Sequence, residues 1–311
     1  MSYNNLPAIS IIIPTHGRED ILRDCLSSLT KVNYPKEKLE VIIVNDGEPI
    51  SRLALQEFIQ SFSKLSLKNF SKRVGIASAR NAGIKSSIGE ILVFIDDDVI
   101  VHPMWLMNMI KPYSNEKVGG VGGRITSFYF DEFDEKIPTG YIGVTGHIHF
   151  NFKSAYRQCV TWIRGCNMSF KRELIYKVRL FDELLGEFSF SEDIDISLRI
   201  KKIGYYIIYE PTAVVIHREA SRGGLRIPSE VLAYHAVRNA VYVYLKNLGF
   251  PTKLVAIPRV MIGIFSLCIR RIKKEGHLTC NVILTFLFNV LKGALNGLIL
   301  WKKRSKIVTT I

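Results

Sequence analysis

An α/β fold with a mostly parallel sheet flanked by helices is the architecture this 311-residue sequence predicts, on three observations. Short apolar runs rich in Ile and Val recur through the first hundred residues. Amphipathic stretches with helical spacing separate them, the alternation that puts helices over a parallel sheet. Finally, polar residues able to do chemistry stand where the apolar runs end, and in parallel sheets ligands collect beyond the carboxyl ends of the strands.

Taken in order, "AISIIIPT" (8–15) is β-branched and closes at Pro14, as a buried strand does. From Arg18 to Leu29, Ile21, Leu22, Cys25, Leu26 and Leu29 share one helical face. "LEVIIVNDG" (39–47) is a second buried strand, "LALQEFIQSF" (53–62) reads as a helix, and "LSLKNF" (65–70) is a third strand. "IASARNAGIKSSIG" (76–89) predicts a helix closed by Gly89, and "EILVFIDDD" (90–98) a fourth strand. Residues 119–165 are Gly-rich, with strand-like pieces at 121–129, 141–149 and 158–164. "GCNMSF" (165–170) reads as a turn before a helix. "SEDIDISLRIKKIG" (191–204) predicts a helix capped by Ser191 and ended by Gly204, with Asp193 and Asp195 in its positive first turn. A strand over 205–217 and a helix over 228–248 follow.

Composition narrows the class. With 48% hydrophobic and 23% charged residues the chain buries a sizeable core and is not a disordered protein. Its five cysteines lack metal-ligand spacing and read as free thiols in a reducing compartment. "MSYNNLPAIS" has no basic segment followed by an apolar one, so no signal peptide is expected and the chain is placed on the cytosolic side. Of the net charge of +14, the segment from Pro251 onward carries +10, eleven Lys and Arg against Glu275 alone.

Asp96, Asp97 and Asp98 end an apolar strand, and like charges there need a positive partner. A divalent cation with oxygen ligands, Mg²⁺ or Mn²⁺, supplies one, and typically bridges a few carboxylates to substrate phosphates. Extended geometry puts Asp96 and Asp98 on one side and Asp97 on the other. In Asp193, a carboxylate beside Glu192 at a helix start, like-charge repulsion favours the protonated form and the helix end opposes it.

"IIIPTHGR" (11–18), "VIIVNDG" (41–47), "RVGIASARNAGIKSSIGEILVFIDDD" (73–98), "GCNMSFKREL" (165–174) and "SEDIDISLRIKKIGY" (191–205) occur in the order seen in family 2 glycosyltransferases, and over roughly residues 8–220 the chain resembles that family. The resemblance implies a GT-A (Rossmann-like) fold and an inverting, metal-dependent transfer from a nucleotide-sugar donor. It further implies that Pro14, Thr15, His16, Arg18, Asp46, Arg80, Asn81, Asp96 and Asp97 bind the donor nucleotide, His16 standing where the family often stacks an aromatic residue on the base. Asp98, Asp96 and His217 would hold the metal, Asp193 would be the general base with Glu192 beside it, and Gly165, Cys166 and Asn167 would line the acceptor side. Arg222, Gly223 and Gly224 form a basic loop that either closes over the diphosphate or is a linker. Two departures from the pattern stand out. Asn45 takes the place of an acidic residue before Asp46, and the QxxRW motif of processive synthases is missing, which points to transfer of a single sugar.

The expected division is a catalytic domain over 1–225 and a helical, basic, membrane-associating region over 226–311. There Asn281, Thr285, Asn289, Lys292 and Asn296 make one polar stripe on an otherwise apolar helix, which suits a helix lying in the bilayer interface; one or two spanning helices are the alternative. The acceptor is expected to be lipid-linked or a glycan, in cell-envelope glycan synthesis, with a homodimer possible. A nucleotidyltransferase is the competing reading, against which "PTHGRED" has a single glycine where such enzymes need a Gly-rich loop. A non-catalytic protein binding nucleic acid is disfavoured, because the tail's charges alternate with Leu, Ile and Phe runs suited to lipid.

Overall fold

A computed structural model describes residues 6–126, 139–143, 148–149, 151–218, 229–250, 252–275 and 280–309. The chain divides into two compact units, one of Met1–Tyr141, His149–Glu183 and Glu192–Gly224, the other of Ile142–Ile148, Leu184–Ser191 and Leu225–Ile311.

The first unit is built on a curled mixed sheet. Strands β1 (Ile9–Thr15), β2 (Leu39–Asn45), β3 (Lys64–Asn69) and β4 (Ile91–Ile95) run parallel in the order β3-β2-β1-β4, with α1 (Glu19–Leu29) and α2 (Ile76–Ser86) between them in sequence. β1, β2 and β4 are apolar because both faces are covered, and Ile11, Ile12, Ile13, Val41, Ile43, Val93 and Phe94 are all buried. This half follows the reading from sequence, with two differences. Residues Leu53–Ser61 form 3₁₀ turns, and their buried Leu55 and Phe58 are three apart, the period of that tighter helix. Gly89 does not close α2, which ends at Ser86. Its role is close approach: a Cβ there would lie 2.5 Å from the backbone nitrogen of Ser10.

Beyond β4 the direction changes. After β5 (Val99–Val101) and α3 (Trp105–Ile110) comes β6 (Val118–Thr126), then the short β7 (Tyr141–Ile142), β8 (Ile148–His149) and β9 (Gln158–Val160). The segment read as a turn before a helix is a strand, β10 (Asn167–Lys171), followed by α4 (Arg172–Lys177). β10 lies between β4 and β6, antiparallel to both, so only the first half of the sheet is parallel throughout. α5 (Glu192–Lys202) ends as expected, with Gly204 at φ 90° and the Tyr205 N–H bonding the Ile200 carbonyl. Ser191, expected as an N-cap, stands at φ 70° at the helix entry. β11 (Tyr206–His217) pairs with β6, β9 and β5.

These pairings set the place of the chemistry. β10 puts Asn167 opposite Ile95, so the "GCN" turn meets the end of β4 where the aspartates begin. β11 puts His217 opposite Val99, and the Arg218 N–H bonds the Asp98 carbonyl at 3.0 Å. The loop Arg222–Gly224 and parts of the strand-like pieces 121–129 and 141–149 lie outside the described residues.

The second unit holds α6 (Ser229–Asn247), α7 (Thr252–Glu275) and α8 (Cys280–Thr309). Ala233, Val237 and Val241 of α6 bury against Phe286 and Val290 of α8, with Ile257, Met261 and Phe265 of α7 alongside. Gly293 and Gly297 let α8 approach closely, since a Cβ at either would sit 2.6 or 2.5 Å from an α6 carbonyl. Asn296 donates to the Tyr234 hydroxyl at 2.7 Å, so part of the expected polar stripe serves helix packing rather than water.

Replacing Gly89 by Ala forces a methyl into the β1 backbone. Overpacking of this kind costs about 1–3 kcal/mol, and a urea unfolding midpoint lowered to match is the expected result.

Candidate active site

The site lies in the first unit, where the ends of β1, β2, β4 and β11 meet the turn before β10 and the start of α5. Its centre is a buried cation. Arg80, on α2 and 1% exposed, donates through one terminal nitrogen to Glu192 Oε1 at 2.6 Å and through the other to the Gly165 carbonyl at 3.1 Å. The second nitrogen also lies 3.6 Å from Asp96 Oδ1, and the guanidinium carbon stands 5.6 Å from the centre of the Phe181 ring. A buried charge must be paired, and this one ties together three segments far apart in sequence.

β4 ends at Ile95 and Asp97 and Asp98 stand in a turn, so a turn rather than strand alternation directs the triplet. Asp97 turns inward, fully buried; Thr15 Oγ1 donates to it at 2.5 Å and Arg18 Nε at 3.0 Å, with a second Arg18 nitrogen on its other oxygen. Burial pushes the Asp97 carboxyl up to about 6, against the pull of Arg18 and the Thr15 hydroxyl. Asp97 and Arg18, expected to contact the donor, thus engage each other and brace the loop after β1. Asp96 and Asp98 stay on the other side. His217 Nε2 is 3.1 Å from Asp98 Oδ1 and 3.9 Å from Asp96 Oδ2. Burial disfavours the charged imidazole, but the hydrogen bond to Asp98 and the charges of Asp96 and Asp98 outweigh it and raise the pKa of His217.

These donor types suit a divalent cation: Asp96 Oδ1 is buried and makes no hydrogen bond, and the His217 Nε2 stands 3.1 Å from one carboxylate oxygen of Asp98 and 3.9 Å from one of Asp96.

At the start of α5, Asp193 Oδ2 accepts from the Gly165 N–H at 3.0 Å and Oδ1 from the Ile194 N–H at 2.8 Å. Burial raises the Asp193 carboxyl, opposed by Arg80 and by these two amides. Glu192 is pushed up to about 8, by burial first and the Asp193 charge next, with Arg80 opposing.

On the nucleotide side, Asp46 Oδ2 accepts from the Gly75 N–H at 3.0 Å, and its other oxygen lies 3.1 Å from His16 Nδ1. Pro14 is half-buried at the end of β1, and the His16 side chain is 36% exposed, the most open of this group.

Two expected site residues are structural pins. Asn81 donates to the Phe181 carbonyl and Glu183 Oε1 and accepts from the Phe181 N–H, so its amide is spent on that loop. Asn167, fully buried, accepts from Trp105 Nε1 and donates to the carbonyls of Arg124 and Ala213. Neither presents a free amide to a donor or an acceptor. Conversely, reading the sequence overlooked Arg164, an exposed cation whose field acts on Asp193, Cys166 and His217. Its place directly before "GCN" was the available signal.

Residues 10–179 match the family model described as Glycosyl transferase family 2. The chain is similar to Glycosyltransferase AglE of Haloferax volcanii, 32% identical over 127 residues, 40% of this chain and 42% of that one. It spans about half the length of the curated relatives it matches. Among solved structures it resembles the mannosyltransferase PcManGT from Pyrobaculum calidifontis in complex with GDP-Man and Mn²⁺, at a TM-score of 0.60 and 17% identity, over 95% of this chain and 88% of that one. It also resembles S. aureus TarS 1–349 in complex with UDP-GlcNAc, at a TM-score of 0.58 and 13% identity, over 96% and 91% of the two chains. These two likenesses are of fold.

Arg80→Met leaves Glu192 and Asp96 facing a buried apolar side chain. Losing one partner of a buried ion pair costs about 3–5 kcal/mol when the carboxylates are ionised. An acid held above its unfolded pKa loses stability as pH rises through its folded value. Wild type finishes that loss near the Glu192 value of about 8, and the variant continues beyond it. Urea unfolding over pH is expected to show a deficit that is smaller in mild acid and grows above that value.

Proposed function

Because the chain belongs to glycosyl transferase family 2, we propose that this glycosyltransferase moves a single sugar with inversion from a nucleotide-sugar to a lipid-linked or glycan acceptor. The observation that carries the reading is the convergence on Arg80 of Asp96 from the end of β4 and Glu192 from the start of α5. It joins the end of β4, where Asp96 and Asp98 stand, to the start of α5, where Asp193 follows Glu192. The family match, and the nucleotide-sugars and Mn²⁺ named in the neighbouring structures, support the same donor class.

In this mechanism the acceptor hydroxyl oxygen attacks the anomeric carbon, the bond to the diphosphate oxygen breaks, and the nucleoside diphosphate leaves with the electron pair. The acceptor proton passes to Asp193. Burial raises the proton affinity of that carboxyl, and the Gly165 and Ile194 amides fix its orientation. Asp96, Asp98 and His217 would hold a divalent ion, which would supply charge neutralisation for the departing diphosphate. His16 stacks on the base beside Asp46, and Arg80 keeps Glu192 and Asp96 in place.

The helical unit serves as an anchor at the cytosolic membrane face. Residues Ile283–Arg304 of α8 are long and apolar enough to cross a bilayer. α8, however, already packs one face on α6, and its exposed Leu284, Phe288, Leu291, Leu295 and Ile299 make a second apolar arc on the far side. A helix with protein on one side and lipid on the other fits the interface. Exposed Lys302 and Lys303 add about 1 kcal/mol each of attraction to anionic lipid. Residues 226–311 serve this role, and residues 1–225 the catalysis. The buried Cys25 and Cys166 fit a reducing compartment.

Asp193→Asn is expected to lower transfer by about 10²–10⁴-fold while still binding donor and Mn²⁺; full activity in that variant would sink the assignment. Chelation should abolish transfer and Mn²⁺ restore it. Vesicles containing anionic lipid should sediment the wild-type chain and leave a Phe288→Glu/Leu291→Glu form in the supernatant.

A further inference from the structure

We propose that Asp96, Cys166 and His217 form a site for a thiophilic divalent cation such as Zn²⁺, overlapping the hard-cation site and excluding it. The proposal rests on the reading of Asp96, Asp98 and His217 as holders of a divalent ion, and it adds a ligand which that reading leaves idle. Cys166 is buried and has no part in the transfer chemistry above. It comes from the turn before β10, Asp96 from the end of β4 and His217 from the end of β11. The sulfur, a carboxylate oxygen and an imidazole nitrogen nonetheless lie within 4.8 Å of one another. Metal–ligand bonds of about 2.0–2.3 Å put tetrahedral donors about 3.3–3.8 Å apart, so the three need to close by about 1 Å.

Donor softness separates the two uses of the site. Mg²⁺ and Mn²⁺ prefer carboxylate oxygen, whereas thiolate and imidazole favour Zn²⁺, which also outranks Mn²⁺ in general affinity for such sites. One thiolate and one carboxylate meet the ion's two positive charges, Asp98 beside His217 and Arg80 beside Asp96 offset each other, and the thiol proton leaves to solvent as the metal–sulfur bond forms. Asp96 Oδ1 is buried without a hydrogen bond, and its ion-pair contact with Arg80 is long, at 3.6 Å. Since Asp96 and His217 belong to both ligand sets, one ion displaces the other. Traces of Zn²⁺ therefore inhibit transfer by competing with the activating metal rather than with the acceptor.

The test uses the full chain freed of metal and two probes, each added first alone and then in competition. Cd²⁺ reports a thiolate ligand through its ultraviolet sulfur-to-metal charge-transfer band, and Mn²⁺ binding is read by electron paramagnetic resonance. The expected result is a band saturating near one equivalent in wild type and reversed by excess Mn²⁺. The band should be lost in Cys166→Ala and in the closer isostere Cys166→Ser, with Cd²⁺ binding weakened by at least about tenfold in calorimetry. Circular dichroism establishes that at least one variant is folded. A band of undiminished size in a folded variant, or none in wild type, overturns the proposal. Mn²⁺ binding without a cysteine-dependent band defeats this inference alone, whereas failure of both probes defeats the reading of the cation site as well.

Discussion

The guanidinium of Arg80 is the constraint on which the active site depends. Taking a full charge out of water costs several kcal/mol unless it is paired, so its partners must arrive together or not at all. Glu192, the Gly165 carbonyl and Asp96 are those partners, drawn from α5, the turn before β10 and the end of β4. Gly165 then turns its N–H to Asp193. One buried cation therefore sets the spacing between the carboxylate proposed to take a proton and those proposed to meet the diphosphate.

Around that centre the polar groups divide into those that hold the frame and those that face a ligand. Asp97 with Arg18 and Thr15, Asn81 with Phe181 and Glu183, and Asn167 with Trp105 satisfy one another internally. Asp96, His217 and His16 keep part of their surface available. Burying the first set makes the second rigid, because each framing residue fixes a loop that carries a ligand-facing one. Asp97 lies between Asp96 and Asp98 in the chain, and Arg18, which holds it, also stands 3.8 Å from Asp98.

Much of this was legible in the sequence. Ile-rich runs, helical spacing and aspartates at strand ends located β1, β2, β4 and α1, whereas the alternation expected through 96–98 gives way to a turn. Hydrophobic pattern carries no strand direction, however, so the antiparallel insertion of β10 was out of reach. Nor does position on an element say which way a polar side chain finds its partner. Asn81 and Asn167 sit inside the motifs a donor or acceptor site would use, yet their amides are taken by backbone groups some 40 to 100 residues away in the chain. The polar stripe of α8 was visible as a spacing, but only the packing of α6 shows that Asn296 turns to Tyr234.

α8 is apolar on two opposite sides, one against α6 and one outward. Deleting the helix to obtain a water-soluble enzyme would uncover Ala233, Val237 and Val241 and exchange one greasy surface for another. Solubility without loss of the bundle calls for recolouring the outer arc with polar side chains while leaving Phe286, Val290, Gly293 and Gly297 untouched. The same two-sidedness would let α8 meet lipid, as proposed, and still belong to a folded protein.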